Sequence, residues 1–473
     1  MKRILLAISL FLSHSVVGQE LSSNDKGLNE AFKLALGTVD INIRRGILAA
    51  GTDYGGEWTR DISINSWNAA SLLRPQVAEH SLWSVTINKD TVGHQYWDKI
   101  LWVIAAWQHY QINGNEQFLK EAYACSAKTM KHLEAQQLDT KYGLFKGPSV
   151  FNDGIAAYPE PIYEPGNNAS AVTKHKNSVH IKCLSTNAAY YGAYLALAKM
   201  AKAVKQPAAV SMLYQQKAGQ LKASILKHLY DKENNKFYYL IDQNGKADPS
   251  QEALGISYAV LFKIIDGAKA KAIVQNALVS KYGITSIYPD FPRYSAQKPG
   301  RHNNIIWPMV NGFFAAAAIQ CKDYPTFKNE LFNLIHLALD EKAGDYNFRE
   351  VYNPYTAKPD GGFQDNEAGK PDFHWESCKL QTWSATAYLN MILNGIFGLQ
   401  FNSDQLSFSP YLPAEIHQIT LAKLNYRNAV LTISLTGNGA TVKSFKLDDK
   451  VLPKPQIPSN LSGAHHIEIS LTD

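Results

Sequence analysis

Apolar residues recur at three- and four-residue spacing through most of the chain up to about residue 397. This spacing predicts helices over 26–37, 61–73, 75–85, 96–112, 115–137, 183–203, 206–230, 251–263, 266–280, 304–320, 323–340 and 379–396. The connections alternate in length. Those after the second, fourth, sixth, eighth and tenth helices, near 74, 113, 204, 264 and 321, are short, as antiparallel helical hairpins require. Those after the odd-numbered helices are long and rich in Gly, Pro, Asp, Tyr and Trp. The even-numbered helices are apolar nearly all round, as in Trp102-Val103-Ile104-Ala105-Ala106-Trp107, which suits an inner layer. Six such hairpins closed into a ring, an (α/α)6 toroid, would put every long loop on one face, around a pocket. An α-solenoid is the open alternative, because repeats of similar period also stack without closing.

From Gly398 the texture changes to alternation, as in Ala429-Val430-Leu431-Thr432-Ile433-Ser434-Leu435, with turn signals at Gly437-Asn438-Gly439 and Asp448-Asp449. Residues 398–473 therefore read as a small C-terminal β-sandwich domain behind a mainly α domain of residues 19–397. Residues 1–18 show a basic start, an apolar run from Ile4 to Leu12 and small residues Val16 and Gly18, the pattern of a cleavable signal peptide. Export to the periplasm or the medium is the expectation.

Composition narrows the function. The chain has 473 residues, 45% hydrophobic, 19% charged and 11% aromatic, including 25 Tyr and 9 Trp, an excess that suits a flat ligand such as a sugar. The net charge of +6, nearer +4 once Lys2 and Arg3 are removed, is dispersed and gives no support for nucleic acid. No window after the leader reaches the roughly 18 apolar residues of a membrane span. Cys125, Cys183, Cys321 and Cys378 are widely spaced and show no zinc-ligand pattern, so neither metal nor cofactor is expected.

Glycosidic bonds are broken by a pair of carboxyl groups, so acids in the long loops are the candidates of interest. Asp153, in Phe151-Asn152-Asp153-Gly154-Ile155, has apolar neighbours that disfavour its charged form and suit a general acid, although Asn-Asp-Gly alone also reads as a turn. Glu160 and Glu164 in the same loop are the reserve acids. Glu350, in Arg349-Glu350-Val351-Tyr352-Asn353-Pro354, is the candidate base; an ion pair with Arg349 is the plainer reading. Trp58, Arg60 and Asp61 could grip sugar hydroxyls, with Trp58 as a stacking face, while Asp61 alone also reads as a helix cap. Trp97, Asp98, Asn187, His302, Trp307, Tyr352 and Trp383 complete the candidate contacts, most of them placed at the starts of even-numbered helices.

Trp58-Thr59-Arg60-Asp61 resembles the Trp-x-Arg-Asp sugar-binding motif of the clan of (α/α)6 inverting glycosidases that includes family 63 processing glucosidases, mannosylglycerate hydrolases, glucoamylases and debranching enzymes. Glu350-Val351-Tyr352-Asn353-Pro354, with Thr382-Trp383-Ser384-Ala385 downstream, resembles their Glu-Asn-Tyr-Asp-Pro base loop and Trp-Ser/Thr-Ala helix. Asn353 replaces the usual Asp, and Asn-Asp-Gly-Ile departs from the family 63 pattern at the acid. The β-tail is similar to the C-terminal sandwich of rhamnosidase and phosphorylase families. The resemblance implies a general acid between the fifth and sixth helices and a base between the eleventh and twelfth, the loops that hold Asp153 and Glu350. It implies an exo-acting inverting α-glycosidase acting on an oligosaccharide or glycoside, with glucose as the expected sugar. A sugar phosphorylase on the same fold and a non-catalytic glycan-binding protein are the alternatives.

Overall fold

The computed structural model describes residues 18–94, 96–167, 169–340, 345–366 and 369–472. The expected leader lies outside the described residues apart from Gly18. Twelve helices are found among them: α1 (Lys26–Ile41), α2 (Thr59–Asn65, continued by a π turn Ser66–Ala70 and a last α turn Ser71–Leu73), α3 (Pro75–Ser84), α4 (Lys99–Asn113), α5 (Glu116–Gln137) and α6 (Leu184–Ala203). They are followed by α7 (Ala208–His228), α8 (Ala253–Leu261), α9 (Gly267–Gln275), α10 (Pro308–Gln320), α11 (Tyr324–Leu339) and α12 (Thr382–Asn390, ending in a π turn Met391–Ile396).

The even-numbered helices pack side by side, and α12 returns to α2, so the ring closes and the solenoid alternative is excluded. Two side-chain contacts mark the seam: Thr386 Oγ1 donates to Asn65 Oδ1 at 2.8 Å, and Asn390 Nδ2 donates to Asn68 Oδ1 at 3.3 Å. Nearly every residue of α6 and α10 is buried, as helices enclosed by an outer layer must be. The outer helices bury one stripe only; in α1 it is Leu28, Ala31, Phe32, Ala35 and Val39.

Five of the long loops begin with a two-residue antiparallel ribbon, at 43–48, 86–92, 138–145, 230–237 and 279–284. Four of these ribbons are hooked by a side chain from a later helix. Leu48 N–H donates to Ser81, Val92 N–H to Thr129, Phe145 N–H to Asn187 and Ile284 N–H to Glu330. The hooks satisfy backbone donors that burial would otherwise leave unpaired. The ribbon at 279–284 also ends α9 at Gln275, five residues short of the 280 that apolar spacing predicts.

Eight strands beyond α12 and one ahead of α1 form two sheets: β1 (Glu20–Ser23), β2 (Leu399–Phe401), β3 (Gln405–Phe408), β4 (Gln418–Tyr426), β5 (Asn428–Thr436), β6 (Thr441–Leu447), β7 (Lys450–Val451), β8 (Gln456–Pro458) and β9 (Ser462–Thr472). One sheet has the order β1-β4-β5-β9-β6-β7, with β5 and β9 parallel; the other has β2-β3-β8. Phe408 of β3 meets Phe445 of β6 between them, ring centroids 5.3 Å apart, and Leu421, Leu431, Ile433 and Ile467 fill the interior. The strand β1 lies outside the 398–473 boundary read from sequence. Residues 20–23 precede the first helix yet pair with Ala422 to Ile419, because β4 offers them an open edge. Among the described residues no helix is long and apolar enough to cross a membrane, and all four cysteines are free thiols.

Candidate active site

The loops that precede the inner helices α2, α6, α10 and α12 converge on a small cavity of about 100 Å³. Clefts that engulf a whole drug-sized ligand hold roughly 300–1,000 Å³, so this one takes the end of a ligand and not its length. Arg60 and Asp61 enter it from the first turn of α2, Trp383 from the first turn of α12, and Trp307 from the residue before α10. Trp58 stands at the mouth, 43% exposed, where a sugar face could stack. The wall behind is aromatic: Trp307 lies edge-on to Trp383, with centroids 5.3 Å apart, and the Arg60 guanidinium sits over the Trp383 ring.

Asp153 and Glu350, from the long loops after α5 and α11, both line this cavity. The Asp153 loop is pinned from several sides. Asn152 Oδ1 pairs with His302 Nδ1 at 2.9 Å, its Nδ2 donates to the His302 carbonyl at 3.2 Å, and Val172 N–H donates to the Asp153 carbonyl at 2.7 Å. At Gly154 a side chain would begin 3.0 Å from the His302 ring and would press that ring aside, so the close approach of these two loops favours glycine there. Glu350 N–H donates to the Cys378 carbonyl at 2.9 Å, and Tyr54 O–H donates to Glu350 Oε2 at 3.4 Å.

The electrostatics differ from the sequence expectation for Asp153. Burial does push its carboxyl up, but the Arg60 guanidinium, 3.3 Å away, together with Arg301 outweighs burial and holds it below the usual carboxylate range. In the free site Asp153 is therefore ionised, not protonated. Burial raises Glu350 above the usual range against the pull of Arg301, and the charge of Asp153 raises it further. Burial also raises Asp61 to about 7 despite Arg60, and His302 is held neutral by burial and by Arg301.

Several predicted contacts stand elsewhere. Asn187 is a framework residue: its amide brackets Phe145, accepting from N–H at 2.7 Å and donating to C=O at 3.1 Å, and it also bonds the Cys183 carbonyl. The Tyr352 hydroxyl is fully used by the backbone of Arg349 and Asn347 and does not line the cavity. Asp98 is 4% exposed and off the cavity wall, within electrostatic reach of Arg60. Trp97 lines a second cavity of about 120 Å³, which shares Asp153 and Arg301 with the first. Glu160 is exposed and Glu164 pairs with Lys176 at 3.3 Å, so the reserve acids stand outside both cavities.

Sequence reasoning missed Arg301. It faces both cavities, and its guanidinium lies 3.9 Å from the centre of the Trp375 ring, which fixes its direction. Among the described residues no cluster of His, Cys, Asp and Glu has the form of a metal site.

Residues 58–376, two thirds of the chain and the stretch that carries every residue of this cavity except Ala50, Tyr54, Gln381 and Trp383, match the family described as mannosylglycerate hydrolase MGH1-like glycoside hydrolase domain. The chain belongs to that family. In this MGH1-like glycoside hydrolase, residues 399–451 match in addition the C-terminal domain of glycosyl hydrolase family 65. Solved structures share the fold at low identity. A protein described as a sialidase aligns at TM-score 0.68 and 13% identity over 90% of this chain and 40% of its own. The family 78 rhamnosidase of a Bacillus species aligns at 0.62 and 13% identity over 96% of this chain and 44% of its own. The family 63 mannosylglycerate hydrolase from Thermus thermophilus aligns at 0.57 and 14% identity over 76% of this chain and its whole length. The MGH1-like chain thus spans less than half the length of the first two. No curated protein sequence matches it significantly.

Proposed function

We propose that this glycoside hydrolase is an exo-acting, inverting α-glycosidase that removes a terminal α-linked sugar, glucose in our reading, from an oligosaccharide or glycoside. The observation that carries the proposal is the meeting of Asp153 and Glu350 in one small cavity with Arg60, Asp61 and Trp58 around it. Asp61 and Arg60 would hold the hydroxyls of the terminal sugar. Asp153 would protonate the departing oxygen, and Glu350 would take a proton from the water that attacks the opposite face. Inversion requires room for that water, with carboxyl groups about 6.5–9.5 Å apart. Because Arg60 holds Asp153 ionised in the free site, substrate must draw Arg60 away before Asp153 can serve as the acid. Export behind a cleaved leader is part of the same proposal.

The test is release of reducing sugar from α-linked gluco- and manno-disaccharides by the mature protein, by Glu350→Gln and by Asp153→Asn. Loss of about 10²–10⁴-fold in kcat in both variants is the expected result, with the β-anomer appearing first by NMR. First appearance of the α-anomer overturns inversion. Phosphate-dependent turnover that survives Glu350→Gln selects a phosphorylase, and glycan binding without turnover selects a binding protein.

A further inference from the structure

Arg60 is surrounded by more carboxylates than it serves. Its Nη2 meets Asp153 at 3.3 Å, yet Nε and Nη1 are buried with no hydrogen-bond partner among the described residues. Asp98, at the residue that opens α4, is also buried, lines neither cavity, and has an Oδ1 with no partner among them. The helices α2 and α4 are neighbours in the ring, and the charges of Arg60 and Asp98 act on each other across that contact. Buried donors on Arg60 and a buried acceptor on Asp98 are thus both unsatisfied on neighbouring helices, a costly arrangement that a shift of the guanidinium toward Asp98 would relieve.

The chemistry requires such a shift. A general acid must carry its proton before the leaving oxygen departs, and Asp153 cannot carry one while Arg60 is beside it. Arg60 is 7% exposed, so it cannot retreat into solvent, and sugar hydroxyls alone leave its buried charge without a counter-ion once it leaves Asp153. Asp61 lines the cavity in which a sugar would sit; Asp98 is buried and does not line it. We propose that Asp98 is a positioning residue for Arg60, taking hold of the guanidinium when the sugar draws it off Asp153. This inference rests on the reading of Asp153 as the acid.

The proton count balances. Asp98 faces Arg60 and Asp61 from α2, Lys99 on its own helix, Asp153 from its loop and Tyr190 from α6. Asp153 faces Arg60, Arg301 and His302, and its charge is felt by Asp61 and Glu350. Burial raises Asp98 to about 7 despite Arg60. When Arg60 moves, Asp98 gives up a proton and ionises, and Asp153 takes one up. The site gains no net charge in the neutral range.

The test compares a disaccharide, whose leaving group needs protonation, with the matching α-glycosyl fluoride, whose leaving group does not. The substrates are the α-linked gluco- or manno-disaccharide that the wild type cleaves and the α-fluoride of the same sugar. Asp98→Asn is expected to lose roughly tenfold or more in kcat on the disaccharide and to stay near wild type on the fluoride. The basic limb of its pH profile should move to lower pH, because Asp153 keeps Arg60. Asp98→Glu should restore both. Equal losses on the two substrates, or an unmoved basic limb, overturn the proposal. Asp153→Asn separates the two readings: disaccharide activity retained there removes Asp153 as the acid, and the role of Asp98 falls with it.

Discussion

Tyr54 O–H donates to Glu350 Oε2 at 3.4 Å across the mouth of the cavity, linking the loop before α2 to the loop before α12. Burial, and then the charge of Glu350, keeps the phenol protonated, so it acts as a donor throughout the working range. The bond favours the ionised carboxyl, the form a base needs. Tyr54→Phe is therefore expected to raise Glu350 further and to move the acidic limb of kcat/KM to higher pH. A pH–rate profile of the variant checks this; a limb that stays in place denies the coupling.

Glu252 and Glu330 are buried carboxyls with no ion pair to a cation among the described residues, and burial lifts each from 4.5 to about 7. Glu252 accepts from Ser149 Oγ at 2.7 Å and Ser185 N–H at 2.9 Å, and Glu330 accepts from Asn311 Nδ2 at 2.7 Å. Between about pH 4.5 and 7 the folded state binds more protons than the unfolded state, so stability declines as pH rises through that window and levels off above it. The loss is roughly 3 kcal/mol for each group by the linkage relation. The thermal midpoint should fall between about pH 5 and pH 8, and Glu252→Gln or Glu330→Gln should flatten that slope.

Gly312 on α10 sets the approach of α10 to α12. A side chain there would begin 2.7 Å from Ala387 Cβ and 3.2 Å from Ala387 Cα, and neither atom can swing aside. Gly312→Ala should destabilise the protein by about 1–3 kcal/mol through overpacking, as read by chemical denaturation.

Asn187→Ala separates framework from site. It leaves the Phe145 ribbon unhooked and should cost about 1–3 kcal/mol, with KM and kcat unchanged below the unfolding transition. A KM that rises while stability holds would return Asn187 to the sugar contacts.

The ring was legible in the sequence because inner helices must be apolar all round, as α4 and α10 are, and because hairpin turns are short. Asp153, Glu350 and the Arg60-Asp61 pair could be picked out as candidates because their loops combine acids with aromatic and turn residues, and the structure brings them to one cavity. The ribbons were not, since a two-residue strand is too short to show alternation. Arg301 was not either: nothing in its loop distinguishes it, and its direction is set by Trp375, far along the chain. Asn187 and Tyr352 were misread for a related reason. Position near the start of an inner helix, or two residues from an acid, does not say which way a side chain points, and both point to backbone. The charge on Asp153 depends on Arg60 from another loop, which local composition does not contain.

The pairing of Glu20–Ser23 with β4 bears on how the molecule assembles. The segment made almost first waits about 400 residues for its partner, a contact of very high sequence separation that slows folding. Because α1 begins three residues after that strand and packs against α12, one short segment ties the sheet edge to the outer helix that flanks the last inner one. Residues 20–23 act as a clasp over the edge of β4, and their removal should bare that edge and promote aggregation, as read by light scattering.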